Sequence, residues 1–362
     1  MKIITKKLIV LLFLLNCSTE NNNRITLPSV IQPIALKKID EIILDESRYR
    51  IGRIGYGHYV DKNYLYLIDR ANYNCLQYSM TGAFTRIIGK RGKGPGEYTE
   101  PLSIFADNDK KEILIFDAAK FAIIAYTFDN HYLFEKTFSN GYPFPGEIQK
   151  INSHYIIAYL NYEGNNRWKH IHYFHFLDEK LNPTHSVRID FPELYEKFNL
   201  INLATLQWYY HFKSQKIYLV YLALPEIHIY NHNNLTAIWK LNLPGFKQIN
   251  RQVNSSNLFI KRKIFSRYTY VNALFEVMPD YLMVTYYKQN LPPIGKFKLF
   301  ETRKYRTYYY VILDLKNKKQ IVPQRSQLPG YIIGSQNGKI FILENDEPDN
   351  RKIGVYEVQL PL

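Results

Sequence analysis

Three histidines, His170, His172 and His175, stand within the stretch WKHIHYFHF, and imidazoles this close together are a common start for a metal site. Along a strand, however, side chains alternate between faces, so His170 and His172 share one face while His175 takes the other. Binding one ion with all three would need a bulge, and two exposed edge histidines account for the spacing. Asp69 and Asp117 close two apolar runs at matched positions, as paired acid/base or metal-binding carboxylates would. The equivalent runs end in Tyr159, Tyr221, Thr285 and Glu344, so a turn carboxylate that accepts backbone N–H groups is the expectation for both Asp residues. Between them, Gly92, Gly94, Pro95 and Gly96 are interleaved with Lys90, Arg91, Lys93 and Glu97. Glycines among basic residues suggest a phosphate cradle, but the order is not that of Walker A and no helix start follows. Sharp backbone turning explains the glycines.

Trp168, Trp208-Tyr209-Tyr210 and Tyr308-Tyr309-Tyr310 are aromatic enough to stack on sugar rings, although the packing of a β-rich core needs the same residues. No Gly-x-Ser-x-Gly, His-Glu-x-x-His or dinucleotide fingerprint occurs. Cys75 sits in the alternating run Cys75-Leu76-Gln77-Tyr78, where it reads as a small buried hydrophobe.

The elements that must hold these residues are six short apolar runs: YLYLID, EILIFD, HYIIAY, KIYLVY, DYLMVT and KIFILE, beginning at Tyr64, Glu112, His154, Lys216, Asp280 and Lys339. Each follows a polar turn, such as Asp61-Lys62-Asn63 or Gln336-Asn337-Gly338. A shorter strand precedes each run, and an alternating hairpin follows it, with tips such as Thr81-Gly82 and Asp129-Asn130. Each unit therefore has four antiparallel strands, which is the composition of a propeller blade. The sixth unit ends with Lys352 to Leu360 and lacks its fourth strand. Ile34 to Leu44 is an unassigned strand of suitable length, and pairing it with the last blade would close the ring and hide two edges. The expected fold is an all-β six-bladed β-propeller over residues 34–362. Residues 244–272 form an insertion between blades 4 and 5, with a short helix and the basic stretch Lys261-Arg262-Lys263, and Leu291 to Arg303 lengthens another connection.

The N-terminus has a separate logic. Lys2, Lys6 and Lys7 precede an apolar run from Leu8 to Leu15, and Asn16-Cys17 follows. Eight apolar residues are too few to span roughly 30 Å of hydrocarbon, so residues 1–16 read as a secretory signal peptide. Leu14-Leu15-Asn16-Cys17 resembles the lipobox of bacterial lipoproteins, which implies lipidation of Cys17 and a polar tether over 17–33. With Cys17 lipidated, only Cys75 remains, and no intramolecular disulfide can form. Loss of the signal takes the net charge from +15 to +12. For an exported domain that charge points to anionic headgroups or an acidic polysaccharide, and not to nucleic acid.

Phe84 to Asp117, FTRIIGKRGKGPGEYTEPLSIFADNDKKEILIFD, resembles the repeat of NHL-like and TolB-like propellers, and more closely the six-bladed β-propeller lipoproteins of Gram-negative envelopes. In that family a Gly-x-Gly-Pro-Gly-Glu-aromatic loop precedes a strand ending in Asp. The resemblance implies an envelope protein, anchored in the outer membrane through Cys17; the activity expected of it, which the resemblance does not supply, is binding of a protein partner or an anionic polysaccharide without a cofactor. It also implies that the loop lies on a face near the central channel, which makes Lys90, Arg91, Lys93 and Glu97 the candidate ligand-binding residues. NHL-type lactonases and lyases, the alternative, hold a divalent metal with Glu, Asp, Asn and His around that channel. No such ligand set is recognisable in the sequence, and no catalytic residue is assigned.

Overall fold

Apolar runs this short, flanked by turn formers, make strands, and the computed structural model arranges them as antiparallel blades around a central channel. It describes residues 24–138, 142–143, 148–162, 170–198, 200, 206–250, 264–290 and 302–360. Residues 1–16 (expected to be a signal peptide), Cys17, Trp168 and Lys261-Arg262-Lys263 lie outside the described residues.

From the channel outward, blade 1 is Tyr59–Val60, Tyr64–Asp69, Asn74–Ser79 and Phe84–Ile88. Blade 2 is Pro101–Asp107, Glu112–Asp117, Ala122–Thr127 and Tyr132–Thr137. Blade 3 uses Gln149–Ile151, His154–Tyr162, His170–Leu177 and Pro183–Asp190, and blade 4 uses Leu206–His211, Lys216–Tyr221, Glu226–Asn231 and Asn234–Lys240. Blade 5 is Thr269–Met278, Tyr281–Gln289, Arg306–Asp314 and Lys319–Pro323. Each apolar run is thus the second strand of its blade. That strand has neighbours within its sheet and a blade packed on either face, so it reads as a continuous apolar run instead of an alternating one. Tyr64–Asp69, Glu112–Asp117 and Lys216–Tyr221 are buried at every position after the first.

Blade 6 closes the ring. Tyr331–Gln336, Lys339–Asn345 and Lys352–Gln359 are completed by the N-terminal strand Ala35–Ile43, which runs antiparallel to the last of them from Ala35 opposite Gln359 to Ile43 opposite Lys352. The tip of blade 1 is pressed against this clasp. Gly82, at φ +87, sits so close to the Ile43 carbonyl that a Cβ there would collide with it, and Asp45 N–H donates to the Gly82 carbonyl at 2.8 Å.

Two further strands come from the stretch expected to be tether. Arg24–Thr26 runs parallel to the outer strand of blade 4, with Ile25 opposite Trp239, and Ser29–Gln32 runs parallel to that of blade 5, with Val30 opposite Ile321. The N-terminal segment therefore visits the rims of blades 4, 5 and 6 in turn. Blade 5 is also where the connections lengthen. A long connection leads from Lys240 to Thr269, so the strand begins inside the stretch 244–272 expected to be insertion, and a second one returns through a 3₁₀ turn, Thr302–Tyr305, into Arg306–Asp314.

Candidate functional site: the central channel and its basic mouth

The innermost strands of all six blades line one cavity of about 1200 Å³, whose wall includes His58, Phe105, Gln149, Tyr209, Asn272 and Ile332. Some of its polar groups are committed to holding blades together. Gln149 donates to the Trp208 carbonyl at 3.3 Å and accepts from Tyr210 N–H at 3.2 Å, and Ser335 donates to the Glu276 carbonyl at 3.0 Å. Lys150 is neutralised, with Asp107 and Asp109 oxygens each 2.7 Å from its Nζ.

His58 is not committed in this way. It is 6% exposed, and neither ring nitrogen has a hydrogen-bond partner. Its ring meets the Tyr331 ring edge to face at 5.9 Å. Burial, helped by the charge of Arg303, pushes its pKa down to about 3, so the imidazole is neutral at physiological pH. A buried polar side chain without a partner inside a cavity is an available donor and acceptor for whatever enters.

At one end the channel meets a second cavity of about 1150 Å³, and Tyr56, Arg306 and Tyr331 belong to the walls of both. The second cavity carries a basic excess, being lined by Arg50, Arg53, Arg70, Arg303, Lys304, Arg306 and Arg351 against Glu344, Asp346 and Glu347. Most of these cations are engaged. Arg70 pairs with Glu100 at 3.0 Å, Arg50 with Asp349 at 2.9 Å and Lys304 with Glu347 at 3.5 Å. Arg303 donates to the Ile54 carbonyl at 2.8 Å and to that of Gly55, lies 3.7 Å from Asp346, and stacks over the Tyr331 ring at 4.2 Å. This arginine ties the second long connection of blade 5 to the segment that enters blade 1.

Arg306 differs. It is half-buried with its guanidinium 4.2 Å over the Tyr287 ring, and it has no ion pair among the described residues. Its Nε has no hydrogen-bond partner, and the groups its guanidinium does face, the hydroxyls of Tyr56 and of the buried Tyr308 two residues along the same strand, are neutral. Buried guanidinium groups are ordinarily paired with carboxylates, because desolvating an unpaired charge costs several kcal/mol. The field of this cluster shows at Tyr56: burial would raise its phenol, but the Arg306 and Arg303 guanidiniums, with Arg53, hold it below the usual value.

The sequence-derived candidates lie elsewhere. Lys90–Arg91 and Glu97–Tyr98 form a two-stranded parallel pair between blades 1 and 2. The loop packs on the outer half of blade 2: Gly96, at φ +69, lies against the Tyr132 ring, and the Tyr126 hydroxyl donates to the Gly96 carbonyl at 2.7 Å. Glu97 accepts the Gly94 N–H at 2.9 Å and pairs with Lys90 at 3.3 Å; Arg91 lies 4.9 Å over Tyr73; Lys93 is exposed. None of the four lines the channel or its mouth. The structure brings them together as a turn closed by Glu97.

Asp69 and Asp117 behave as turn carboxylates. Asp69 accepts N–H groups of Gly52 (2.9 Å), Arg53 (3.0 Å) and Ala71 (3.0 Å), and Asp117 accepts those of Thr99, Glu100 (3.1 Å) and Lys120 (3.0 Å). Each ties the turn after its strand to the segment that leads into its own blade. His175 contacts the Ser186 hydroxyl, and the side chains of His170 and His172 lie outside the described residues. Among the described residues no three His, Cys, Asp or Glu side chains are grouped so as to hold a metal ion, so they do not supply the ligand set of an NHL-type centre. Trp208 and Tyr308 are core residues at 4% exposure each, while Tyr209 and Tyr210 line the channel.

One sequence signal for this site exists in retrospect. In RTYYYVILD the alternation puts Arg306 on the same strand face as the buried Tyr308 and Tyr310, where an arginine is out of place unless it has work to do.

A six-bladed β-propeller family, DUF5128, matches residues 44–344. No curated protein matches the chain significantly. Among solved structures, a DUF4221 family member from Bacteroides vulgatus superposes with a TM-score of 0.69 at 10% identity, covering 91% of this chain and 99% of its own. A Bacteroides fragilis protein described as exported gives a TM-score of 0.57 at 14% identity, covering 94% of this chain and 100% of its own. At these identities both likenesses concern the fold.

Proposed function

Because the chain belongs to the six-bladed β-propeller family that spans its residues 44–344, we propose that it serves as a ligand-binding propeller of the cell envelope, with the central channel as its binding site. One observation carries this reading. The six inner strands enclose a cavity of about 1200 Å³ with a polar and aromatic wall, the size and character of a small-molecule or oligosaccharide site. The role proposed is binding or scaffolding. The envelope location rests on the N-terminal sequence, where Lys2, Lys6 and Lys7, the apolar run and Cys17 have the order of a lipoprotein signal. A diacylglyceryl group on Cys17 would hold the propeller at the outer membrane while leaving its channel in water.

Two experiments test it. Ala273, on the channel wall, is replaced by Trp to fill the cavity, and a glycan and metabolite panel is screened by thermal shift against both proteins. Ligands that stabilise the wild type and leave Ala273→Trp unchanged support the channel; ligands that stabilise both equally sink it. In cells, Cys17→Ala is expected to move the protein from the membrane to the soluble fraction. Retention in the membrane would end the lipid-anchor reading.

A further inference from the structure

The neck shared by the two cavities concentrates features that no part of the scaffold needs. Arg306 is a partly buried guanidinium without a carboxylate, with three tyrosine rings, Tyr56, Tyr287 and Tyr308, as its nearest electrostatic neighbours. Its Nε and both nitrogens of His58 are buried without partners, while the rest of its guanidinium faces only the neutral hydroxyls of Tyr56 and Tyr308. Across the neck, Arg303 is already fixed by the Ile54 and Gly55 carbonyls, so it adds positive field without being free to move. Such a site is pre-organised for negative charge, since the cations are positioned before any anion arrives.

The rest of the wall narrows the chemistry. Tyr56 is 44% exposed and offers a ring surface toward the cavities. Beyond it the channel presents amide side chains, Gln207 and Asn272, that can bond hydroxyl groups. The combined space, about 1200 Å³ plus a mouth of about 1150 Å³, is far larger than a single ion requires. An aromatic face, neutral hydrogen-bonding groups and one unpaired arginine together describe an acidic sugar.

Resting on the reading of the channel as the binding site, we infer that Arg306 recognises the anionic group, carboxylate or phosphate, of an acidic oligosaccharide whose ring packs on Tyr56. His58 and the Tyr308 hydroxyl then bond the neighbouring sugar oxygens. An incoming anion gives the guanidinium the partner that the fold withholds, and a planar fork suits carboxylate and phosphate alike.

The test titrates the mature protein with trigalacturonate, its neutral methyl ester and a phosphorylated maltotriose by calorimetry. Wild type is compared with Arg306→Gln, Arg306→Lys and Ala273→Trp. At least one anion is expected to bind, with the ester and Arg306→Gln each weaker by about tenfold or more, and Arg306→Lys in between. Which anion binds identifies carboxylate or phosphate as the natural group. Equal binding of the ester, an unchanged affinity in Arg306→Gln, or no binding of either anion would overturn the inference. Binding abolished by Ala273→Trp but insensitive to Arg306→Gln defeats the anion site and leaves the channel reading standing; the reverse pattern defeats the channel alone. A ligand-free readout guards against misfolding: the Tyr56 phenol, followed by ultraviolet titration against a Tyr56→Phe control, should ionise at higher pH in Arg306→Gln than in wild type. An unshifted phenol would show that Arg306 does not govern this neck.

Discussion

Arg351 reaches across the closure of the ring to Glu46, 305 residues away in sequence, with one guanidinium nitrogen 2.7 Å from each carboxylate oxygen and both side chains 1% exposed. The same arginine bonds Asp346 through Nε at 2.9 Å, and Glu46 also accepts the Ile51 N–H at 2.9 Å. The pair stands at the end of the clasp, where Leu44 N–H donates to the Arg351 carbonyl at 3.0 Å. Arg351→Met leaves a buried carboxylate without its partner and should cost about 3–5 kcal/mol, read from urea unfolding. Adding Glu46→Gln should recover part of that loss, because the amide is neutral and the stranded charge is gone. A single variant within about 0.5 kcal/mol of wild type would show that the clasp does not depend on this pair.

His58 predicts an acid sensitivity. Its folded-state pKa of about 3 lies below the ordinary value, so as pH falls the unfolded chain takes up the proton first. The contribution of neutral His58 is therefore complete above about pH 6.5 and shrinks toward pH 3, at on the order of 1.4 kcal/mol per pH unit. Unfolding curves between pH 7 and pH 4 should fall more steeply for wild type than for His58→Phe. Parallel curves would mean that the imidazole is protonated or solvated in the native state.

The loop at Lys90, Arg91 and Lys93 separates two roles. Since these exposed side chains line neither the channel nor its mouth, changing all three to Ser should leave ligand affinity unaltered and stability within about 0.5 kcal/mol of wild type. Gly96→Ala should be the damaging change, because φ +69 disfavours a side chain and the new methyl would meet the Tyr132 ring 2.7 Å away. A loss of affinity in the triple variant with stability intact would restore the loop as a binding surface.

Asp69 and Asp117 should matter to folding and not to binding. Replacing either by Ala strands at least three backbone N–H groups and should cost roughly 3 kcal/mol. For Asp69 the carboxyl is held below its usual range: burial opposes this, but the N–H groups of Gly52 and Arg53 outweigh it. Its stabilisation is thus present above the ordinary carboxylate range and lost as pH falls through the lower folded value, a loss that Asp69→Ala should no longer show. Ligand binding by folded Asp69→Ala at native strength is expected from calorimetry, and its disappearance would reopen a functional role.

The blades were legible because each second strand is covered on both faces, which writes an unbroken apolar run at a turn-bounded spacing. The clasp was legible too, because a blade left with three strands demands a fourth and Ile34 to Leu44 was the spare one. Arg24–Thr26 and Ser29–Gln32 carried no such signal. Strands of three and four residues have too few positions for a period to appear, and parallel pairing to distant partners leaves no hairpin motif. At the site, composition drew the eye to the glycines near Lys90, whose role is a backbone turn. Arg306 sits beyond a long connection, and only its side of the strand distinguishes it from an ordinary surface arginine.

The N-terminal strands have a consequence for how the protein is made. Arg24–Thr26, Ser29–Gln32 and Ala35–Ile43 are the earliest of the described strands to be synthesised, yet each pairs with a strand of much later sequence, and the third completes blade 6. Ala35 must wait for Gln359. A ribosome delivers the segment long before its docking surfaces exist, so Ala35–Ile43 stays unpaired until the last strand has emerged, and this slow, non-local pairing comes at the end. Blades 1 to 5 are built from strands near one another in sequence, whereas the ring itself closes only after Lys352–Gln359 has been made.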